Sequence, residues 1–168
     1  MKVLVATVGG SEGPVIAAAR KLGLDKAILI TGKPASDVFD EPIKEDVDPI
    51  EVSKKIKERL ENLGVEVEII PVNPFDFEET CIKAMEVIER EKSNNVNVIV
   101  SGGTKVQALA ASYAAFVCGC RMFYTQETKN GAELVEIPLT FSDVDELPNS
   151  RRAVLKVFED GDDAVRIA

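Results

Sequence analysis

Apolar residues fall in short, almost unbroken blocks at Val3–Val8, Lys26–Thr31, Val65–Val72, Val96–Ser101 and Arg121–Thr125. Between nearly all of them the spacing changes to a helical period, over Pro14–Leu22, Asp48–Leu63, Phe77–Glu91 and Thr104–Val117. Within the second of these, Val52, Ile56, Leu60 and Leu63 form one apolar stripe, and Phe77, Cys81, Met85 and Ile88 repeat the device in the third. Strands rich in Val and Ile with little alternation are expected where helices cover both faces of a sheet. Strand and helix in alternation then predict an α/β fold with a doubly wound, mainly parallel sheet. Ala132–Leu139 reads as a last strand, paired in a C-terminal β-hairpin with Arg121–Thr125 through a turn at Lys129-Asn130-Gly131.

The helix over Thr104–Val117 is apolar on nearly every side, with small residues dominating: Val106, Ala108, Leu109, Ala110, Ala111, Ala114, Ala115, Phe116 and Val117. A helix without a polar face must be covered twice. The sheet covers one side; a partner subunit or the C-terminal segment is left for the other. On the first reading the chain is a homodimer, and Ala111→Glu or Ala115→Glu is expected to give monomers.

The pattern divides the chain into an α/β domain over residues 1–141 and a tail over 142–168. In the tail, Ser142–Leu147 is acidic and irregular. Pro148-Asn149-Ser150 reads as a cap before a short helix at Arg151–Phe158, and Ala164–Ala168 opens another after a turn at Asp160-Gly161-Asp162. This resembles the start of a winged helix-turn-helix whose recognition helix is missing, so the expectation is a truncated chain whose DNA-binding module is incomplete. An extra helix packed on the first domain is the alternative.

The 168 residues carry a formal charge of -9, with a pI near 4.7. Bulk electrostatic attraction to nucleic acid is therefore excluded, and any anionic ligand must be held locally. No apolar run approaches the roughly 20 residues of a membrane span, and the chain opens directly as a strand; a cytoplasmic protein with no membrane contact is expected. There is no histidine. His-based metal sites and His-dependent nucleophile triads are thereby excluded, and no metal site is expected. The three cysteines, Cys81, Cys118 and Cys120, sit in or at the end of apolar helical sequence and do not form a disulfide framework.

The candidate chemistry lies in the loops that follow strands. Ser101-Gly102-Gly103-Thr104-Lys105 joins a buried-strand pattern to a helix. Two glycines let the backbone turn and approach a ligand, Thr104 can cap the helix, the helix N-terminus adds partial positive charge, and Lys105 a full one. A plain strand-to-helix turn with a solvated lysine is the competing reading. In open parallel sheets ligands bind beyond the strand C-termini where strand order reverses, which would bring two more loops to the same place. They are Thr7-Val8-Gly9-Gly10-Ser11-Glu12-Gly13, followed by Pro14 at the start of a helix, and Thr31-Gly32. A dinucleotide site would need G-x-G-x-x-G and an acidic residue near the end of the second strand, and a P-loop needs G-x-x-x-x-G-K-[ST]; the chain has neither.

Thr7-Val8-Gly9-Gly10-Ser11 together with Ser101–Lys105 resembles the CRISPR-associated Rossmann fold (CARF) proteins, over roughly residues 1–140. Pro71-Val72-Asn73-Pro74-Phe75-Asp76-Phe77 and the tail from Pro148 look most like the archaeal CARF transcriptional regulators that carry a C-terminal winged helix. The resemblance implies a Rossmann-like fold and a homodimer that senses a cyclic oligoadenylate, most often the tetra-adenylate, in antiviral defence, with no other cofactor. It implies ligand contacts at Ser11, Gly102, Gly103, Thr104 and Lys105. Some CARF sites are ring nucleases, cleaving the ring without metal by attack of a 2′-hydroxyl on the adjacent phosphodiester. There Lys105 would stabilise the developing charge and Ser11 would position the ribose, although no general base is evident. A nucleotide-binding α/β protein unrelated to CRISPR is a third reading. A cyclic tetranucleotide can itself be two-fold symmetric, so two Lys105 side chains and two helix N-termini could neutralise it on an acidic dimer.

Overall fold

The computed structural model describes residues 1–33, 47–128 and 131–138. Six strands form one sheet: β1 (Lys2–Val8), β2 (Lys26–Gly32), β3 (Glu66–Val72), β4 (Asn95–Ile99), β5 (Arg121–Thr128) and β6 (Gly131–Ile137). Four helices connect them: α1 (Gly13–Leu22), α2 (Pro49–Glu61), α3 (Phe77–Arg90) and α4 (Lys105–Val117). The strand order is β3-β2-β1-β4-β5-β6, parallel throughout except for β6, which runs antiparallel to β5. This is the doubly wound, Rossmann-like arrangement expected, with order reversing between β1 and β4. The tail from residue 139, including the expected helix at Arg151–Phe158, and the turn residues Lys129 and Asn130 lie outside the described residues.

Alternate residues of the central strands feed two cores. Val3, Val5, Ile28, Ile30 and Val98 meet α3 and α4 on one face. Leu4, Ala6, Val8, Leu29 and Ile99 meet α1 and α2 on the other. Because both faces are covered, the strands need no polar side, and Val3 to Ala6 are fully buried. Pro71 is tolerated in β3 because, among the described residues, that strand is an edge paired only with β2.

Two details of the expected stripes change. Leu63 is 72% exposed: α2 ends at Glu61, and a turn closed by Gly64 at φ 81° carries Leu63 away from the core. Phe77, the first residue of α3, is also exposed, with its ring 6.2 Å from that of Tyr113 on α4. Ala111 and Ala115, chosen from sequence as interface positions, are instead buried in this subunit's own core against α3. The uncovered side of α4 is carried by Leu109, Tyr113, Phe116 and Val117, each about half exposed or more.

Candidate functional site

The loops after β1 and β4 touch through their backbones. A Cβ on Gly102 would stand 2.3 Å from the Thr7 carbonyl oxygen, and one on Gly9 would stand 2.7 Å from the Gly103 nitrogen. Gly103 takes φ 79°, a conformation costly for any other residue, and so turns the chain into α4. Thr104 then caps the helix. Its Oγ1 accepts from the Gln107 N–H at 3.1 Å, while its own N–H donates to Gln107 Oε1 at 3.0 Å, completing a capping box. The Thr104 hydroxyl also donates to the Pro74 carbonyl, tying the loop after β3 to the start of α4.

That third loop is rigid for local reasons. Asn73 Oδ1 accepts from the Phe75 N–H at 3.0 Å, and Glu79 Oε2 accepts from the Asn73 N–H at 2.8 Å. The other oxygen of Glu79 meets Lys33 Nζ at 3.3 Å, and the Lys33 N–H donates to Val72 O at 2.8 Å. The loops after β1, β2, β3 and β4 thus enclose a cleft of about 350 Å3, within the usual range for small-molecule sites. Its lining comprises Val8, Gly9, Gly10, Gly32, Lys33, Val47, Pro49, Pro74, Phe75, Gly103, Thr104 and Gln107.

Of the residues expected from sequence, the structure brings Gly9, Gly10, Gly32, Gly103 and Thr104 to this cleft. Gly102 supports it from behind, against Thr7. The remaining hydroxyls are engaged elsewhere. Thr7 Oγ1 donates to the Ile99 carbonyl at 3.5 Å, Thr31 Oγ1 donates to the Pro49 carbonyl at 3.1 Å, and Ser101 Oγ accepts from the Thr125 N–H at 2.5 Å. Ser11 Oγ accepts from the Gly13 N–H at 3.2 Å, bracing the entry to α1. Glu12 turns away to pair with Arg59 at 2.5 Å. With Gly13, these two line a larger groove of about 420 Å3 between α1 and α2. That groove lies off the strand C-termini and its Arg59 is already neutralised, so the crevice at the order reversal is the better candidate. Lys105 is exposed beside the cleft rather than in it.

Sequence reasoning missed Val8, Lys33, Val47, Pro49, Pro74, Phe75 and Gln107. One signal was available: Thr104-Lys105-Val106-Gln107 fits the capping-box pattern and marks Gln107. Among the described residues no group of three or more His, Cys, Asp or Glu side chains could hold a metal ion, and no helix is long and apolar enough to cross a membrane. Burial raises the thiol pKa of Cys81, Cys118 and Cys120, so none is primed as a thiolate nucleophile.

A six-stranded sheet reversing at β1 and β4, with glycine loops at its crest, defines a Rossmann-like domain. The chain belongs to the family described as HFX_2341_N:-like, N-terminal, whose model matches residues 2–130. Among solved structures it is similar to Can2 from Sulfobacillus thermosulfidooxidans in complex with cyclic tetra-adenylate. The TM-score there is 0.59 at 18% identity, covering 74% of this chain and 31% of that one. It is similar to protein VC1899 from Vibrio cholerae, with a TM-score of 0.62, 10% identity, and coverage of 84% and 35%. It is also similar to Enterococcus italicus Csm6 bound to cyclic hexa-2′-fluoro-hexa-dAMP, with a TM-score of 0.61, 12% identity, and coverage of 95% and 45%. The chain thus corresponds to less than half the length of each of these proteins. No curated protein matches it.

Proposed function

We propose that this chain is a sensor domain that binds a cyclic oligoadenylate, in the first instance cyclic tetra-adenylate, between two copies of itself in CRISPR defence. The observation that carries this reading is the open N-terminus of α4, presented by Gly102-Gly103-Thr104 beside a part-apolar cleft where strand order reverses. The positive end of the helix dipole suits phosphate, and Pro49, Pro74 and Phe75 suit a base. Similar folds have been solved with such ligands, cyclic tetra-adenylate on Can2 among them.

The placement of Lys105 supports a ring shared by two subunits. Positions 105, 109, 113 and 116 follow helical spacing, so Lys105 heads the exposed stripe of Leu109, Tyr113 and Phe116. A second copy packed on that stripe covers its apolar surface and brings two Lys105 ammonium groups to the ends of the two clefts. The same surface is continuous with the site, which is why a second copy is the occupant we favour. The bound state would pass to a DNA-binding module after this domain; the sequence from Pro148 supports that step and lies outside the described residues.

Calorimetry with cyclic tetra-adenylate, followed by separation of the products, tests the reading. One intact ring bound per two chains is expected. Absence of binding by both tetra- and hexa-adenylate rings would refute it, and linear fragments would replace the sensor with a ring nuclease.

A further inference from the structure

Four buried side chains among the described residues carry a polar atom without a hydrogen-bond partner, in Ser53, Thr80, Asn97 and Gln107, and of these Gln107 lines the cleft. The residue is 1% exposed, yet it lines the cleft. Its amide cannot be turned over, because Oε1 accepts the Thr104 N–H at 3.0 Å in the capping box. The NH2 group therefore points the other way, and Nε2 has no hydrogen-bond partner. The carbonyl end sits beneath two of the loops: it lies 2.7 Å from where a Cβ on Gly103 would stand and 3.8 Å from the equivalent point on Gly32. A buried donor with no partner is uncommon in a folded chain, and a ligand acceptor that reaches it removes the cost of its desolvation.

We infer that Gln107 reads the ligand, its Nε2 donating to an acceptor atom of a nucleobase seated end-on in the cleft of the same subunit. A base suits the cleft better than a phosphate does, because Val47, Pro49, Pro74 and Phe75 offer apolar walls to a flat π-system. Phosphates belong at the mouth, where the N-terminus of α4 and Lys105 are open to solvent. Since Oε1 is engaged, Gln107 presents donors alone. The two-point pairing a free glutamine makes with adenine, donating to N7 and accepting from N6, is unavailable to it. The inserted edge must carry an acceptor, and an edge presenting only C–H or N–H groups is rejected.

This inference rests on the proposed function, and the test separates the two. The chain has two glutamines, Gln107 and Gln126, so glutamine-selective 15N labelling gives two side-chain NH2 pairs. Adding cyclic tetra-adenylate to the wild-type protein should shift the Gln107 pair, which is assigned as the one that disappears in Gln107→Glu. That variant keeps an acceptor for the cap, since Glu also serves at this position, but loses the donor. At pH 8 it should bind the ring at least tenfold more weakly than wild type. An unmoved Gln107 pair, or wild-type affinity of the folded variant at pH 8, with the wild type binding normally, would overturn this role alone. Failure of the wild type to bind the ring would overturn both. If the variant melts early, the labelled wild-type protein decides, with the Gln107 pair assigned through neighbouring backbone resonances.

Discussion

Gly102→Ala places one methyl group where two loops meet through backbone, and the structure sets its cost. The new Cβ would lie 2.3 Å from Thr7 O, 3.1 Å from Thr7 C and 3.2 Å from Val8 Cα. Ordinary carbon contacts lie near 3.5–4.0 Å, so a relative shift of about 1 Å is required. Thr7 cannot supply it: its strand is central, held by β2 on one side and β4 on the other. The loop before α4 must move instead, and Gly103 and the Thr104 cap move with it. Overpacking of this kind costs about 1–3 kcal/mol. For a domain of this size that lowers the Tm by roughly 2–12 °C. Gly10→Ala is the control, because its Cβ would meet only Val47 Cβ at 3.9 Å and its backbone is not left-handed. Differential scanning calorimetry of the two variants should show a drop for Gly102→Ala and none for Gly10→Ala. Cyclic tetra-adenylate affinity should fall as well in Gly102→Ala, through displacement of the helix start. Equal melting temperatures for Gly102→Ala, Gly10→Ala and wild type would refute the close packing on which the site's geometry depends.

Lys105→Ala should weaken ring binding by about 1.5–3 kcal/mol per site, as expected for a charge-assisted hydrogen bond, with the Tm unchanged; calorimetry and melting together check it. Tyr113→Glu should convert a dimer to folded monomers in sedimentation, whereas Ala111→Glu, buried at 1% exposure, should fail to fold. Glu91 is hydrogen-bonded to Lys26, a contact that holds its carboxyl below the ordinary value and raises the lysine. A depressed carboxylate stabilises the fold above its unfolded pKa of about 4.3 and loses that contribution as pH falls through the folded value. Glu91→Gln should therefore melt below wild type at pH 7, and the gap should close under acid; a gap independent of pH from 7 to 3 would count against the pairing.

Much of this was legible in the sequence because burial on both faces leaves a simple trace. Strands such as Val3–Val8 and Lys26–Thr31 are apolar almost throughout, and the structure places them at the centre of the sheet. Gly102-Gly103-Thr104 was readable as a helix start since a turn, a cap and a helix follow within a few residues. The fate of Thr7, Thr31 and Ser101 was not. Their partners are Ile99 O, Pro49 O and the Thr125 N–H, and only the folded topology brings those groups near. Sequence periodicity also could not tell Ala111 from Leu109, because both are apolar on a helix apolar all round; it took the packing of α3 to assign one to the core and the other to the surface.

The pairing of β1 with β4 has a consequence for the order in which the molecule is made. Val5 lies beside Val98, and the N-terminal amine reaches Asn94 Oδ1 at 3.3 Å. A strand made early must wait for one made far later before its second edge is covered, and closing so long a loop is entropically costly and slow. At ribosomal speeds of about 5–20 residues per second the delay is on the order of 5–20 s. During that interval the nascent chain exposes an open, hydrophobic edge, and the two glycine loops are apart. A chain that lacks β4 and the start of α4 lacks the cleft as well, because Gly103, Thr104 and Gln107 follow that strand, so nascent or nicked chains of that kind present no site.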